Sequence, residues 1–223
     1  MFLIRSALLP LLALIATPAI AETVVYETVE EYVVVDGGSE RFVAAMPAPV
    51  PAGIARFGPF RVLDGTRAAL VDVTDERSPA QFAAMLRAYP GISMLEMIEC
   101  PGTEDDRGNL AVGRAIHARG MTTHVPAGGS VRSGGVELFL AGARRIADPG
   151  AEFAVHAWED QFGNQPEDFA PDAPENRVYL DYYREMGMAP AEARAFYAMT
   201  NSVPNEDAKW LGAEEMARWV RLD

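Results

Sequence analysis

Ser133 and His156 have the surroundings in this chain best suited to bond-breaking chemistry. Ser133 lies in the stretch Gly128-Gly129-Ser130-Val131-Arg132-Ser133-Gly134-Gly135, a glycine-rich turn that leads into the apolar segment Gly134–Ala141. A turn feeding a helix places the serine at a helix N-terminus, where unpaired backbone N–H groups and the positive end of the dipole stabilise an oxyanion. The glycines after the serine allow a substrate carbonyl to approach the backbone closely. His156 ends the run Ala154-Val155-His156, at the tip of an expected strand, from which an imidazole can act as general base. Spacing alone leaves plain alternatives open: a serine at a helix start is commonly an N-cap, and a lone histidine at a strand end is often structural.

Three neighbouring readings compete. Ser130 is a rival nucleophile, but no glycine follows it and it precedes the helix. Glu137 falls one turn beyond Ser133 on the same side of that helix. It is either an acid/base group or a carboxylate paired with Arg132 or Arg144 or facing solvent. An α/β-hydrolase would show Gly-x-Ser-x-Gly, and neither serine has it, since Val131 occupies the upstream position for Ser133.

Positioning such a pair calls for alternating strands and helices. Residues 22–46 read as a β-hairpin around Asp36-Gly37-Gly38. Residues 46–53 carry three prolines and read as a linker, so that 22–56 forms an arm before the main domain, 57–223. From Phe57 a βα rhythm sets in. Phe60–Leu63 and Ala68–Val73 are expected strands, and a helix opens at Ser78-Pro79 with Ser78 as N-cap. Then follow a strand over Ile92–Ile98, the turn Cys100-Pro101-Gly102, a helix over Asn109–Arg119 closed by Gly120, and a strand over Met121–Val125. Short strands are expected at Arg144–Ala147 and Glu152–Val155. Such alternation argues for a parallel sheet with crossover helices. Residues 157–176 are acidic, proline-bearing and read as a long loop. Helices are expected over Arg177–Met186, Pro190–Met199 and Ala213–Val220.

Composition narrows the function classes. The 223 residues carry 19 Lys and Arg against 32 Asp and Glu, a formal charge of −13, which disfavours nucleic acid and anionic lipid as partners. Residues 1–21 read as a cleavable signal peptide: Arg5 supplies the charged region, Ala7–Ala16 the apolar region, and Ala19-Ile20-Ala21 the cleavage site before Glu22. That implies a periplasmic or secreted protein. The single cysteine, Cys100, rules out an internal disulfide and is read as a small buried residue. His117, His124 and His156 lack metal-ligand spacing, so neither metal nor other cofactor is expected.

Residues 60–223 resemble the Clp protease proteolytic subunit, a serine peptidase family of the ClpP/crotonase superfamily. Cys100-Pro101-Gly102 is similar to that family's Ser-Pro-Gly-Gly turn. Ser133 through Gly142 is similar to its nucleophile segment, Ala154-Val155-His156 to the strand ending in its histidine, and Trp210 onward to the segment following its acid. The resemblance implies an α/β fold with a βαβ spiral core and an acyl-enzyme mechanism on Ser133, with His156 as base. It further implies oxyanion donors at the N–H groups of Gly134 and Thr103. A threonine at 103 would be strained if the position required φ > 0. Asp207 lies one residue from the family's acid position, which Ala208 occupies; Glu159 and Asp160 are the alternatives, as is no acid at all. Peptide or small-ester substrates and a homo-oligomer are also implied. The altered Thr103 and displaced Asp207 fit a second expectation, a catalytically inactive scaffold that binds a peptide or partner.

Overall fold

The computed structural model describes residues 47–223. The expected leader and hairpin lie outside the described residues. Strand β1 (Ala55–Phe57) turns at Gly58, φ +59°, into antiparallel β2 (Phe60–Val62), which pairs with antiparallel β3 (Arg67–Leu70). The folded core therefore begins slightly before Phe57.

Beyond β3 the chain winds as a spiral. Helix α1 (Ser78–Ala88) leads to β4 (Met94–Met97), and two residues later the chain forms β5 (Glu99–Cys100). Helix α2 (Asp106–Ala118) leads to β6 (Thr122–Val125) and then β7 (Ser130–Arg132). Helix α3 (Gly134–Leu140) leads to β8 (Arg144–Ala147) and then β9 (Glu152–Val155). The first strand of each turn joins one sheet, in the order β1-β2-β3-β4-β6-β8. The second joins another, which β10 (Lys209–Gly212) closes antiparallel to β9, in the order β10-β9-β7-β5. Within the spiral all pairings are parallel. This is the α/β spiral expected from the sequence.

The remaining helices are α4 (Pro174–Glu185), α5 (Pro190–Thr200) and α6 (Ala213–Met216). Proline opens α4 and α5, where its missing N–H costs nothing. Three local expectations change. Ser78 is the first residue of α1 rather than its cap; its hydroxyl instead accepts from the Asp75 N–H and donates to Asp75 Oδ1. The glycine-rich turn contains a strand, β7, made by three residues that all pair with β9, two of them also with β5. The last helix is a single turn, and β10 ahead of it went unrecognised because Lys209-Trp210-Leu211-Gly212 is too short to show a period.

The core spans both sheets: Phe60, Phe82, Leu95, Met97, Val131, Phe139, Phe153 and Tyr182 are all at most 1% exposed. Each such side chain contributes about 1.5–3 kcal/mol. Cys100 belongs to this core, and burial pushes its thiol well above the usual range, as suits an inert packing residue. Among the described residues, no helix is long and apolar enough to cross a membrane.

Candidate active site

β7 ends at Arg132, and α3 begins at Gly134. Ser133 makes the joint between them with φ 47° and ψ −128°, the sole described non-glycine residue with positive φ. That conformation costs a serine about 1–3 kcal/mol. It is held from both sides: the Ser133 N–H donates to Ala154 O of β9 at 2.9 Å, and Ser133 O accepts from the Val136 N–H at 2.9 Å. Its hydroxyl makes no hydrogen bond to any described residue and faces a cleft shared with His156.

Backbone geometry orients two N–H groups beside it. C=O and N–H point in opposite directions across a trans peptide. Ser133 O is directed into the helix toward Val136, so the Gly134 N–H points back out of the helix end. Gly102 O accepts from the Thr74 N–H at 3.2 Å, so the Thr103 N–H points away from Thr74. The turn at Gly102, just past β5, runs against the serine: a Cβ on Gly102 would sit 3.1 Å from Ser133 Cβ, and one on Gly134 would sit 2.6 Å from Thr103 Cγ2. Gly102 itself carries the unusual backbone, at φ +136°, so Thr103 is spared the strain anticipated for it.

A buried polar relay fixes both segments. The Asn109 amide donates to Gly134 O at 2.6 Å and accepts from the Thr74 hydroxyl at 2.8 Å. Thr74 is fully buried and Asn109 nearly so. Neither residue was singled out in the sequence, because a Thr and an Asn 35 positions apart carry no local signal.

His156 follows directly on β9. Its Nδ1 lies 2.9 Å from Ala157 O and 3.1 Å from the Asn205 amide nitrogen, which also donates to Ala157 O at 2.9 Å. Nδ1 is therefore occupied, and Nε2 is the nitrogen left for the cleft. Asp207 does not reach this imidazole: its side chain is exposed, and its N–H donates to Pro204 O. Asn205, two residues earlier, stands where the acid was expected. Asp160 instead caps its own turn, accepting from Phe162, Asn164 and the Asn164 side chain, and Glu159 accepts from Gln165. Ser130 is fully buried, its Oγ accepting from Arg132, and so is removed from the cleft. No hydrogen bond joins Ser133 to His156 in this state; catalytic contacts often tighten only when substrate binds.

Two carboxyls flank the pair. Glu137 is 8% exposed and accepts from the Tyr183 hydroxyl at 2.8 Å. Burial pushes its carboxyl up to about 7, against the pull of Tyr183. Asp106 accepts from Tyr179 at 2.8 Å. It stands at the cleft mouth with much of its surface in solvent. Crowding by the surrounding protein nonetheless raises its carboxyl, an effect the nearby His156 opposes. Asp106 was not recognised in the sequence because the helix was expected to begin three residues later. Among the described residues no group of His, Cys, Asp and Glu is arranged to hold a metal.

Fold and site together describe an α/β spiral protein with a serine–histidine cleft. No protein-family model and no curated protein matches the chain. Solved structures do. A mutant of the 1510-N membrane-bound stomatin-specific protease in complex with a substrate peptide is 12% identical, with 71% of this chain and 74% of that one covered and a TM-score of 0.46. A second mutant of the same protease is 16% identical, with 70% and 76% covered and a TM-score of 0.46. A ClpP1 mutant from Listeria monocytogenes is 16% identical, with 68% and 86% covered and a TM-score of 0.46. At such identities and TM-scores no residue's role carries across.

Proposed function

We propose that this chain is an exported serine hydrolase of the peptidase type, acting through an acyl-enzyme on Ser133. The observation that carries the reading is the backbone of Ser133: a strained serine, unbonded at Oγ, between two outward-pointing N–H groups in a cleft that also holds His156. Strain of this kind persists only where the surroundings impose it, and it clusters at functional sites.

In the mechanism, Ser133 Oγ attacks a substrate carbonyl and its proton passes to His156 Nε2. The Gly134 and Thr103 N–H groups receive the developing oxyanion. The imidazolium then protonates the leaving amine or alcohol, and water, deprotonated by His156, releases the acid. For Nε2 to be the base, Nδ1 must carry the proton and donate to Ala157 O, a carbonyl that Asn205 braces. Asn205 is thus the positioning residue, with no carboxylate needed at Nδ1. Peptides or small esters are the substrates that suit acyl transfer. Residues 1–21 support export to the periplasm or beyond, which N-terminal sequencing of the mature protein would test.

The test of the hydrolase reading is labelling of the purified protein with a fluorophosphonate. Labelling of wild type that disappears in Ser133→Ala and His156→Ala, and persists in Ser130→Ala, supports it. A folded wild type that stays unlabelled overturns it. The missing Ser133–His156 bond would then favour the second reading, a scaffold that binds peptides without cleaving them.

A further inference from the structure

The brace behind His156 does not end at Asn205. That residue stands in the irregular segment between α5 and β10, where Pro204, Glu206 and Asp207 are all exposed. Packing therefore does little to fix it, and hydrogen bonds decide where its amide lies. Besides its approach to the imidazole, Asn205 makes two. Its side chain donates to Ala157 O at 2.9 Å, and its backbone N–H donates to Gln165 Oε1 at 3.1 Å, across 40 positions of sequence.

The loop after His156 presents Gln165 in a fixed pose. Its backbone is extended, at φ −115° and ψ 173°, as suits a residue before proline. One residue closes both of its main-chain polar groups: the Gln165 N–H donates to Asp168 Oδ2 at 2.8 Å, and the Asp168 N–H donates to Gln165 O at 3.0 Å. Just beyond, the Asn176 amide donates to Pro166 O at 3.2 Å and to Ala170 O at 2.9 Å, which ties the stretch to α4. The side-chain amide of Gln165 has one orientation that satisfies both its neighbours. A backbone N–H only donates and an ionised carboxylate only accepts. Oε1 therefore meets the Asn205 N–H, while Nε2 donates to Glu159 Oε2 at 3.3 Å.

We propose that Gln165 is a second positioning residue for His156, acting through Asn205, so that the acidic loop 157–176 is part of the acyl-transfer apparatus. The inference rests on the hydrolase reading above. The support runs from Glu159 to Gln165, to Asn205, to Ala157 O and so to His156 Nδ1, each link fixing the next. Glu159, a candidate acid from the sequence, thus serves the histidine at a distance, by aiming the Gln165 amide.

The experiment measures the rate of fluorophosphonate labelling across pH. The proteins are wild type, Gln165→Met, Asn205→Ala, the double variant Gln165→Met/Asn205→Ala, and the exchange Glu159→Gln/Gln165→Glu. Loss of one neutral hydrogen bond shifts an equilibrium by about two- to tenfold. Gln165→Met keeps the side chain's length and removes its acceptor, so it should slow labelling about fivefold. It should also move the midpoint of the pH–rate curve in the same direction as Asn205→Ala does. In the Asn205→Ala background it should cost nothing further, because its effect passes through that amide. The exchange returns an acceptor to the Asn205 N–H and a donor to orient it, and should restore the rate to within about twofold of wild type. Full-rate labelling of Gln165→Met, an equal further loss in the Asn205→Ala background, or an exchange as slow as Gln165→Met overturns the positioning role and leaves the hydrolase standing. Absence of labelling in wild type overturns the hydrolase reading, and the positioning role falls with it.

Discussion

The two halves of the site are built differently. The Ser133 half belongs to the spiral core: β7, α3 and the Gly102 turn after β5 are neighbours in adjacent turns, locked by Thr74 and Asn109. The His156 half hangs from the end of β9 and is braced by Asn205, 49 residues away, on an irregular segment ahead of β10. The first half stores strain in a rigid frame. The second depends on a single amide and one carbonyl. The nucleophile should therefore tolerate almost no change, while the segment behind the histidine should accept substitutions and even improve.

Ser133 itself should show the largest effect. Ser133→Ala should lower hydrolysis by a factor of about 1000 or more, and Ser133→Gly by as much. The glycine variant should nonetheless be the more stable, by about 1 kcal/mol in chemical denaturation, because glycine tolerates positive φ. Equal stabilities would mean that the strain at this joint is not real. Next come the flanking glycines. Gly134→Ala drives a methyl into Thr103 Cγ2 at 2.6 Å, which should cost about 1–3 kcal/mol of stability and displace the oxyanion donors enough to lose activity about 100-fold. A Gly134→Ala protein with wild-type turnover would show that the two segments need not touch.

On the softer half, Asn205→Ala should reduce kcat about tenfold with little change in KM, shifting the pH–rate profile as the imidazole loses its brace. Asn205→Asp should match or exceed wild type, since a carboxylate can accept the Nδ1 proton directly and stabilise the imidazolium. Asp207→Ala should change neither. A loss in Asp207→Ala larger than that in Asn205→Ala would restore the aspartate to the site.

The remaining effect concerns Glu137, between the halves, and falls on stability rather than on turnover. Its carboxyl sits at about 7 in the folded protein against an ordinary 4.5. Between those values the native state holds more protons than the unfolded chain, so stability should fall as pH rises through that window, by about 3 kcal/mol if Glu137 acts alone. Glu137→Gln, still able to accept from Tyr183, should flatten that part of the pH–stability curve. An unchanged slope would place the titration elsewhere.

Much of the Ser133 half was legible in the chain because its signals are local. Glycines on either side of a serine, an apolar helix directly after it and a Pro-Gly turn one strand earlier all speak through spacing, and the short-range rules of backbone geometry hold in any fold. Strand–helix alternation likewise announced the parallel spiral. The chain by itself thus determined the α/β class, the position of the sharp joint and the histidine at a strand end. Tertiary structure alone decided that Asn205 rather than Asp207 meets the imidazole, that Thr74 and Asn109 pin the Gly102 and Gly134 segments to each other, and that Asp106 and Glu137 enter one cleft without a cation. These pairings join residues tens of positions apart, and side chains of Thr, Asn and Asp satisfy many roles equally well in sequence. Which role each takes is set by where the turns of the spiral stack and by which buried polar atoms must find partners once water is gone.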